Sequence, residues 1–222
     1  MLEKNKKTAA TTASEADGHT NPTLDLSRTV MEEHFSSKTR PWMALDKLAV
    51  NIRERGIELP FDRYDEIAEN VWVHQSVYLS PYVKLTAPVI ICGGAKICHY
   101  CHIECSVIGS FSQISEFSAV KSSIIFDKVR LFGHNSVNSS ILGYECALGE
   151  GVTVSDRRID GLNVSFETSK GVCVTDKRTL GAIICDGAVI GASSVINPGS
   201  IIDFNAKILP LSSVSGYVPP YS

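Results

Sequence analysis

The apolar and polar positions near the C-terminal end of the chain repeat with a period of six residues. Isoleucine occupies one position of each hexad: Ile184, Ile190, Ile196, Ile202 and Ile208. A small residue follows each isoleucine four positions later: Ala188, Ser194, Ser200, Ala206 and Ser212. A strand alternates with a period of two and a helix with a period of about 3.6, so neither element alone explains this pattern. It predicts a solenoid of short repeats, in which each hexad is one flat side of a coil, the isoleucine fills the centre and the small residue sits at the corner.

The same six-residue step runs through the middle of the chain. It is carried by a second aliphatic series: Val73, Leu79, Leu85, Ile91, Ile97 and Ile103. The register slips by one residue at Ile108, recovers at Ile114 and is blurred between Phe126 and Val137. Between Asp156 and Gly181 we find no clean hexads and expect an excursion or an irregular coil. Three hexads close one triangular turn, so residues 18 apart should stack; the alternative, a β-sandwich of short strands, predicts turn residues at irregular spacing.

We expect three segments, of which only the last belongs to the all-β solenoid. Residues 1–38 are rich in Thr, Ala, Ser and Glu without apolar periodicity, which predicts a disordered tail. Residues 39–60 should form a short capping helix and a linker, with the helix running from Pro41 to about Arg55 and stopping at Gly56. This helix should lie across the open N-terminal end of the solenoid, with Trp42 as a packing anchor rather than a ligand platform. The solenoid domain is then 61–222.

The composition of the chain argues against some classes of binding partner and cellular location. The 222 residues carry a net charge of −3, which argues against a nucleic-acid partner or an anionic membrane surface. No apolar run is long enough to span a bilayer, and the polar N-terminus predicts no signal peptide. Seven cysteines without a secretory signal predict reduced thiols and a cytoplasmic protein.

A cluster of Cys98, His99, Cys101, His102 and Cys105 has spacings that suggest zinc when taken alone. The repeat favours another interpretation, because it places cysteines in small slots of the coil, where they act as compact apolar filler. Neighbours on a solenoid face point in alternating directions, so these side chains should not converge. We therefore predict no metal site.

Two further features are open to a functional or a structural interpretation. Glycines in Gly149-Glu150-Gly151 allow close approach of a ligand, or of another backbone at a tight corner. His134 is suited to general-base catalysis near neutral pH, or is a polar surface residue.

Several segments carry a resemblance to a known family. They include S-S-I-I-F-D-K-V-R-L-F-G-H-N-S-V-N-S-S-I-L-G-Y-E-C-A-L-G-E-G (122–151), L-G-A-I-I-C-D-G-A-V-I-G (180–191) and P-W-M-A-L (41–45). The chain resembles, over residues 41–218, the acetyltransferase half of bifunctional UDP-N-acetylglucosamine pyrophosphorylase / glucosamine-1-phosphate N-acetyltransferase enzymes and the stand-alone relatives of that half. The resemblance implies a left-handed parallel β-helix, a homotrimer, and a site between subunits for acetyl-coenzyme A and an amino-sugar phosphate. We expect no pyrophosphorylase half.

Only some of the site residues of that family have a matching residue in this chain. Lys121 falls where the family has a lysine that contacts the sugar phosphate, and Glu104 where it usually has an arginine. The catalytic histidine of the family falls on Gly133, and His134 is one residue late, so His134 would serve if the coil bulges by one residue. The predicted site is therefore His134 as catalytic base; Lys121, Asn135 and Arg158 as substrate-binding residues; and Gly149, Gly151, Lys177 and Arg178 as cofactor-binding residues.

The resulting hypothesis is an acyltransferase of sugar-nucleotide metabolism, as in UDP-N-acetylglucosamine biosynthesis. It would use acetyl-coenzyme A as co-substrate, no metal, and a sugar phosphate or nucleotide sugar as acceptor. The alternative is a catalytically degenerate trimeric binding or scaffold protein of the same fold. The two hypotheses differ in whether His134 faces an inter-subunit cleft together with Lys121, which would favour the enzyme.

Overall fold

The computed structural model describes residues 22–35, 40–168 and 171–222. One α-helix, α1 (Leu48–Ile57), follows three short 3-10 helices, which are Leu26–Arg28, Glu32–His34 and Pro41–Leu45. The strands in chain order are β1 (Tyr64–Ala68), β2 (Val71–His74), β3 (Tyr78–Leu79), β4 (Lys84–Ile91), β5 (Lys96–Ile97), β6 (His102–Ile108), β7 (Gln113–Ile114), β8 (Ala119–Lys121), β9 (Ile124–Ile125), β10 (Arg130–Leu131), β11 (Ser136–Asn138), β12 (Ile141–Leu142), β13 (Ala147–Leu148), β14 (Thr153–Val154), β15 (Ser165–Thr168), β16 (Gly171–Val174), β17 (Ile183–Ile184), β18 (Val189–Ile190), β19 (Val195–Ile196), β20 (Ile201–Ile202), β21 (Lys207–Ile208), β22 (Ser213–Val214) and β23 (Tyr217–Val218). None of the helices in this part of the chain is long and apolar enough to cross a membrane.

The strands stack in parallel on three faces, which confirms the predicted parallel β-helix. Face A contains β2, the end of β4, the end of β6, then β9, β12, β17, β20 and β23. Face B contains β3, β5, β7, β10, β13, β18 and β21. Face C contains the start of β4, the start of β6, then β8, β11, β14, β19 and β22. The centre of the coils is filled by the aliphatic series that the hexads predict, and Ile196, for example, is fully buried between Val154 and Val214.

The corner from face C to face A is shorter in the central coils than elsewhere. Stacked inner residues of the two faces are six residues apart in the first coil, from Leu85 to Ile91, but five apart from Ile103 to Ile108. The five-residue step recurs in the next two coils, between Val120 and Ile125 and between Val137 and Leu142. The six-residue step resumes at Ile114 and Val120, as predicted, since both are buried and pair with Ile97 and Ile103, but a further slip of one residue follows at Ile125. The stretch between Phe126 and Val137, in which the sequence pattern is blurred, forms regular coils whose inner residues are displaced by one position.

A ladder of serine hydroxyl groups closes these short corners. Cys105, Ser122 and Ser139 adopt the left-handed conformation, with φ of 44°, 48° and 46°. The next residues of the first two corners, Ser106 and Ser123, are buried, and the Ser106 hydroxyl accepts the Ser123 N–H at 3.1 Å. The Ser123 hydroxyl in turn accepts the N–H of Ser140, in the third corner, again at 3.1 Å. Each corner thus satisfies the backbone of the next.

The N-terminal segment and α1 cover the outer side of face A. The outward residues of this face are apolar as well, and Trp72, Ile90, Val107 and Ile124 form a buried cluster with Ile52 of α1 and other residues of the segment. The predicted position of the helix across the open N-terminal end is therefore wrong. Instead, β1 pairs antiparallel with β2 and covers the first edge of face A.

Residues 22–35 are packed, although they fall inside the predicted tail. Met31 is fully buried, and the Phe35 ring makes an edge contact with Phe126 at 5.7 Å between centroids. The Asp25 N–H donates to Asp186 at 2.6 Å, which ties this segment to a late coil. The disordered-tail prediction is thus wrong for 22–35. Face A of the solenoid is apolar on its outer side as well as its inner side, and the segment is buried against it, although the segment's own sequence shows no apolar periodicity. Residues 1–21 and 36–38 of the predicted tail lie outside the described residues.

The predicted excursion between Asp156 and Gly181 is confirmed as an insertion that contains a hairpin of β15 and β16. Trp42 is buried and stacks on Phe166 of this hairpin, with centroids 4.3 Å apart. Trp42 is therefore a packing residue, as expected, but it anchors the hairpin rather than the first coil. The excursion and the N-terminal segment together enclose the outer side of face A.

Candidate functional site

A line of polar side chains runs along the outer side of face C, next to its corner with face A. Glu104, Lys121 and Asn138 occupy paired positions on successive coils. The Lys121 Nζ lies 3.9 Å from Glu104 Oε2, and both side chains are about two-fifths exposed. This edge of face C therefore presents an accessible ion pair at the two positions where the resemblance implies phosphate-binding cations.

A cleft of roughly 340 Å³ lies beside this edge, between the C–A corner, the 3-10 helix Pro41–Leu45 and the excursion. Its lining residues are Leu45, Asp46, Ser122, Ser139, Lys177, Arg178, Thr179 and Leu180. Lys177 forms an ion pair with Asp46, whereas Arg178 is exposed and pairs with no carboxylate among the described residues. The structure thus brings two of the predicted cofactor-binding residues together, and leaves one guanidinium available for an anion.

His134 lies at the other end of face C, at the corner with face B. Its φ is 51°, its N–H donates to the Glu116 carbonyl at 2.9 Å, and its ring stacks on Phe117 with centroids 5.0 Å apart. In the strand register His134 is level with Phe117, four residues before the position of Lys121. At about 3.3 Å per residue, that is a separation of roughly 13 Å along the strand. Within one chain, the predicted base and the predicted phosphate ligand do not meet.

Asn135 is buried inside the coil. Its Oδ1 accepts the Val152 N–H at 2.8 Å, and the Asn135 N–H donates to the Ser118 hydroxyl at 3.3 Å. The side chain fills the small corner slot of its hexad and is only 1% exposed. The prediction that Asn135 binds substrate is therefore wrong, since its amide holds the next coil instead.

Arg158 lies in the excursion, where it forms a two-pronged ion pair with Asp160, Nε–Oδ1 at 2.9 Å and Nη2–Oδ2 at 2.5 Å. The guanidinium lowers the pKa of Asp160 to about 2, chiefly through these hydrogen bonds. A ligand phosphate would have to compete with a carboxylate that is already in place. Substrate binding by Arg158 stays a prediction.

The two predicted cofactor-binding glycines have structural reasons to be glycine. A Cβ at Gly149 would lie 2.6 Å from the Ala192 backbone nitrogen of the next coil. Gly151 has a φ of 72° and stands at the same corner as His134, one coil later. Both positions are explained by coil stacking and turn geometry, and a role in cofactor binding stays a prediction.

His102 is a candidate that sequence reasoning considered only as a metal ligand. It is the first residue of β6 and projects from the same side of the strand as Glu104, two residues later. Its Nε2 lies 3.1 Å from Thr86 Oγ1 and 3.6 Å from Glu104 Oε2. Partial burial, then the positive charges of Lys84 and Lys121, hold the pKa of His102 below its usual value, against the opposing effect of Glu104. The two-residue spacing from Glu104 is the signal that could have found it.

The neighbouring cysteines pack as the repeat predicts. The Cys101 thiol is buried and donates to the Ser115 carbonyl at 3.2 Å, and burial raises its pKa to about 11. All seven cysteines are free. Across residues 22–35, 40–168 and 171–222, no group of three or more His, Cys, Asp or Glu side chains is arranged to hold a metal ion.

Comparisons with known proteins find several chains that are similar to this one. A family model described as the GMPPB C-terminal domain matches residues 85–181. An uncharacterized acetyltransferase, YaiX of Escherichia coli O6:K15:H31 (strain 536 / UPEC), is 25% identical over 114 residues, which are 51% of this chain and 50% of that protein. The resemblance to hexapeptide-repeat acyltransferases is confirmed. The chain spans about half the length of the curated acetyltransferases that it matches.

Solved structures of acyltransferases are also similar to this chain. A mutant of AntD, an N-acyltransferase from Bacillus cereus, in complex with dTDP-4-amino-4,6-dideoxyglucose and coenzyme A, is 18% identical, with a TM-score of 0.38 over 69% of this chain and 74% of that chain. The acetyltransferase domain of PglB from Neisseria gonorrhoeae FA1090, in complex with acetyl coenzyme A, is 13% identical, with a TM-score of 0.32 over 60% of this chain and 54% of that chain.

Proposed function

We propose that this chain is an acetyltransferase that acetylates the amino group of a phosphorylated or nucleotide-linked amino sugar, with acetyl-coenzyme A as donor. The observation that carries the proposal is the cleft at the C–A corner, where Arg178 pairs with no carboxylate of the described residues and lies beside Lys177, next to the polar edge that contains Lys121. Both co-substrates carry phosphates, which need cations of this kind. The similarity to proteins described as acetyltransferases supports the same reaction class.

In this proposal the cleft and the edge of face C have separate tasks. Arg178 and Lys177 bind phosphates of the coenzyme, and Lys121 binds the phosphate of the sugar. Lys177 must exchange Asp46 for the ligand, whereas no carboxylate in the described part of the chain competes for Arg178, so Arg178 should contribute more to affinity. Three chains would assemble around a threefold axis, since a partner subunit would supply the opposite wall to this open surface.

A second candidate function, a binding protein without turnover, is favoured by Glu104. Its carboxylate lies 3.9 Å from Lys121 Nζ and partly neutralises the cation that should hold the sugar phosphate. Ligand binding at the cleft would survive this change, because Arg178 lies in the cleft and not on the edge of face C. Binding and turnover must therefore be measured separately.

Acetyl-coenzyme A binding is measured by calorimetry on the wild type, on Arg178→Ala and on Arg63→Ala. The last variant removes the same charge from an exposed arginine outside the cleft. We expect Arg178→Ala to weaken binding about tenfold, as for the loss of a charge-assisted hydrogen bond, and Arg63→Ala to have no effect. Turnover is followed by mass spectrometry with glucosamine-1-phosphate and a panel of amino-sugar nucleotides. Coenzyme binding without any acetylated product would favour the binding protein, and the absence of both would contradict the acetyltransferase.

A further inference from the structure

His102 lies on the part of face C that the proposed reaction would use. It stands between Lys84 of β4 and Ala119 of β8 in the strand register, and Glu104 and Lys121 pair two residues further along the same strands. Its side chain is one-quarter exposed. The imidazole is therefore accessible from the surface but held by its neighbours, and it is on the same edge as the proposed phosphate ligand.

The neighbours of His102 favour one tautomer. Both contacts are made by the same ring nitrogen: Nε2 lies 3.1 Å from Thr86 Oγ1 and 3.6 Å from Glu104 Oε2. The Thr86 hydroxyl can donate or accept, and the carboxylate is too far for a hydrogen bond, but its negative charge favours the proton of a neutral imidazole on Nε2, the nitrogen that faces it. Nδ1 then carries a lone pair, and it makes no hydrogen bond to another described residue. The ring is oriented at one nitrogen and open at the other.

The charges around the ring favour its neutral form. Lys84 and Lys121 flank it from the two paired strands, and Glu104 is the acidic group that faces it. Burial and the two lysines lower the pKa of His102, which outweighs the carboxylate. A neutral imidazole at neutral pH is what a proton acceptor requires.

We propose that His102 is the general base of the acetyltransferase reaction, with Thr86 and Glu104 as its positioning residues. The inference rests on the proposed function. The amino nitrogen of the acceptor attacks the thioester carbonyl of acetyl-coenzyme A, and a C–N bond forms. His102 Nδ1 takes the proton that the nitrogen loses. The C–S bond then breaks, and the thiolate of coenzyme A leaves and is protonated from the imidazolium, which regenerates the neutral base.

Two other histidines provide the comparison. His134 is stacked on Phe117 at the far corner of face C, where no carboxylate among the described residues contacts its ring. His99 belongs to the same coil as His102, is partly exposed, and its Nδ1 lies 3.3 Å from the Pro81 carbonyl oxygen. His99→Gln is therefore a matched control for His102→Gln, since it makes the same chemical change three residues away and outside face C.

The test is steady-state acetylation, followed by mass spectrometry of the product, for the wild type, His102→Gln, His99→Gln, His134→Gln and Glu104→Gln. We expect His102→Gln to lower kcat at least a hundredfold, with coenzyme affinity changed less than threefold, and His99→Gln to match the wild type. Glu104→Gln should move the acidic limb of the kcat/KM profile to lower pH, because the carboxylate raises the pKa of the imidazole. A structural role would not move that limb. Long-range proton–nitrogen NMR of the wild type should show His102 protonated on Nε2, which tests the geometry even if a variant fails to fold.

The outcomes separate this inference from the proposed function. Wild-type turnover that persists in His102→Gln, or that is lost in His134→Gln instead, would overturn the inference and leave the acetyltransferase standing. An Nδ1-protonated His102 would overturn it as well. A wild type that binds neither coenzyme nor acceptor would overturn both.

Discussion

Lys121 and Glu104 face each other across neighbouring coils, with Nζ and Oε2 3.9 Å apart. The pair is partly exposed, so its own energy is small, but it decides how much positive charge the edge of face C offers to a phosphate. A carboxylate at this position competes with the substrate for the lysine.

Removing that carboxylate should therefore strengthen substrate binding. We expect Glu104→Gln to lower the Kd of a phosphorylated amino sugar about two- to fivefold, the range of an exposed ion pair, when binding is measured by calorimetry. Glu145→Gln is the control, since Glu145 forms a comparable exposed pair with Lys128 at 3.0 Å outside face C. An equal gain in both variants would mean that only the net charge of the protein matters.

The free energy of unfolding should depend on pH through Asp186. Burial raises the pKa of this carboxyl to about 6, against the N–H donors of Asp25 and Tyr144, which lower it. A folded-state pKa above the unfolded value of 3.8 means that the folded protein binds the proton more tightly. Stability from this group is therefore complete at low pH and is lost as the pH rises from about 4 to about 6.

Asp186→Asn isolates this contribution. The difference in unfolding free energy between wild type and variant should change by about 2–3 kcal/mol between pH 4 and pH 7, from about two pKa units at 1.36 kcal/mol each. Urea unfolding at several pH values measures it. Asp127, whose pKa burial also raises, is present in both proteins and cancels. A difference that does not vary with pH would mean that Asp186 titrates normally.

The contribution of residues 22–35 is tested by two deletions. Removing 1–35 should destabilise the protein strongly compared with removing 1–21, because only the longer deletion takes Met31 and Phe35 from the cluster on face A. The loss of two buried side chains of this size should cost about 4 kcal/mol or more. Thermal unfolding and dye binding to exposed apolar surface report it. Equal melting temperatures would mean that the contacts of 22–35 do not contribute.

Gly149→Val distinguishes a structural glycine from a cofactor-binding glycine. The new Cβ would lie 2.6 Å from the Ala192 backbone, so we expect a loss of about 1–3 kcal/mol in stability, as for other overpacked positions. Gly161→Val is the comparison, since a Cβ there meets nothing within 4 Å. Its φ of 68° strains a side chain, whereas Gly149 has no positive φ, so Gly161→Val reports backbone strain without close packing and Gly149→Val reports close packing without that strain. If Gly149→Val instead keeps full stability and loses only coenzyme binding, the cofactor-binding prediction is correct.

Assembly is tested by light scattering coupled to gel filtration. A homotrimer of 24.1 kDa chains should elute with a mass of about 72 kDa, three times the chain mass. The mass should not depend on the concentration in the micromolar range. A mass near 24.1 kDa would contradict the trimer and remove the partner subunit from the proposed site.

The sequence predicts the fold well because the centre of a triangular coil accepts only aliphatic side chains at one spacing. It finds the first five-residue corner as the slip at Ile108 but misses the two that follow, because Ser122 and Ser139 reach the left-handed conformation without glycine. The burial of the outer side of face A can also be inferred from the sequence, although not from its periodicity. Paired isoleucines such as Ile90-Ile91 and Ile124-Ile125 place an apolar residue on both sides of a strand, which requires burial on both.

The candidate site is predicted only in part, because its geometry depends on that displaced register. Lys121 lies on an accessible edge, and its contact with a sugar phosphate stays a prediction. Asn135 faces inward, although the adjacent His134 is exposed, since the corner turns the two in opposite directions. His102 lies on the same edge because it is two residues before Glu104 on one strand, so both side chains project from the same side. The spacing in the sequence reveals this only once Glu104 is assigned to the site.

The bonds from Thr23 to Asp203 and from Asp25 to Asp186 set an order of events during synthesis. Most solenoid contacts join successive coils, which can form as the chain emerges from the ribosome. These two join residues 180 and 161 positions apart. At a translation rate of 5–20 residues per second, the acceptor aspartates are therefore synthesised about ten to thirty seconds after the donor residues. The early coils form around Met31 and Ile52 in that interval, and the chain completes its native structure only when the final coils have been made.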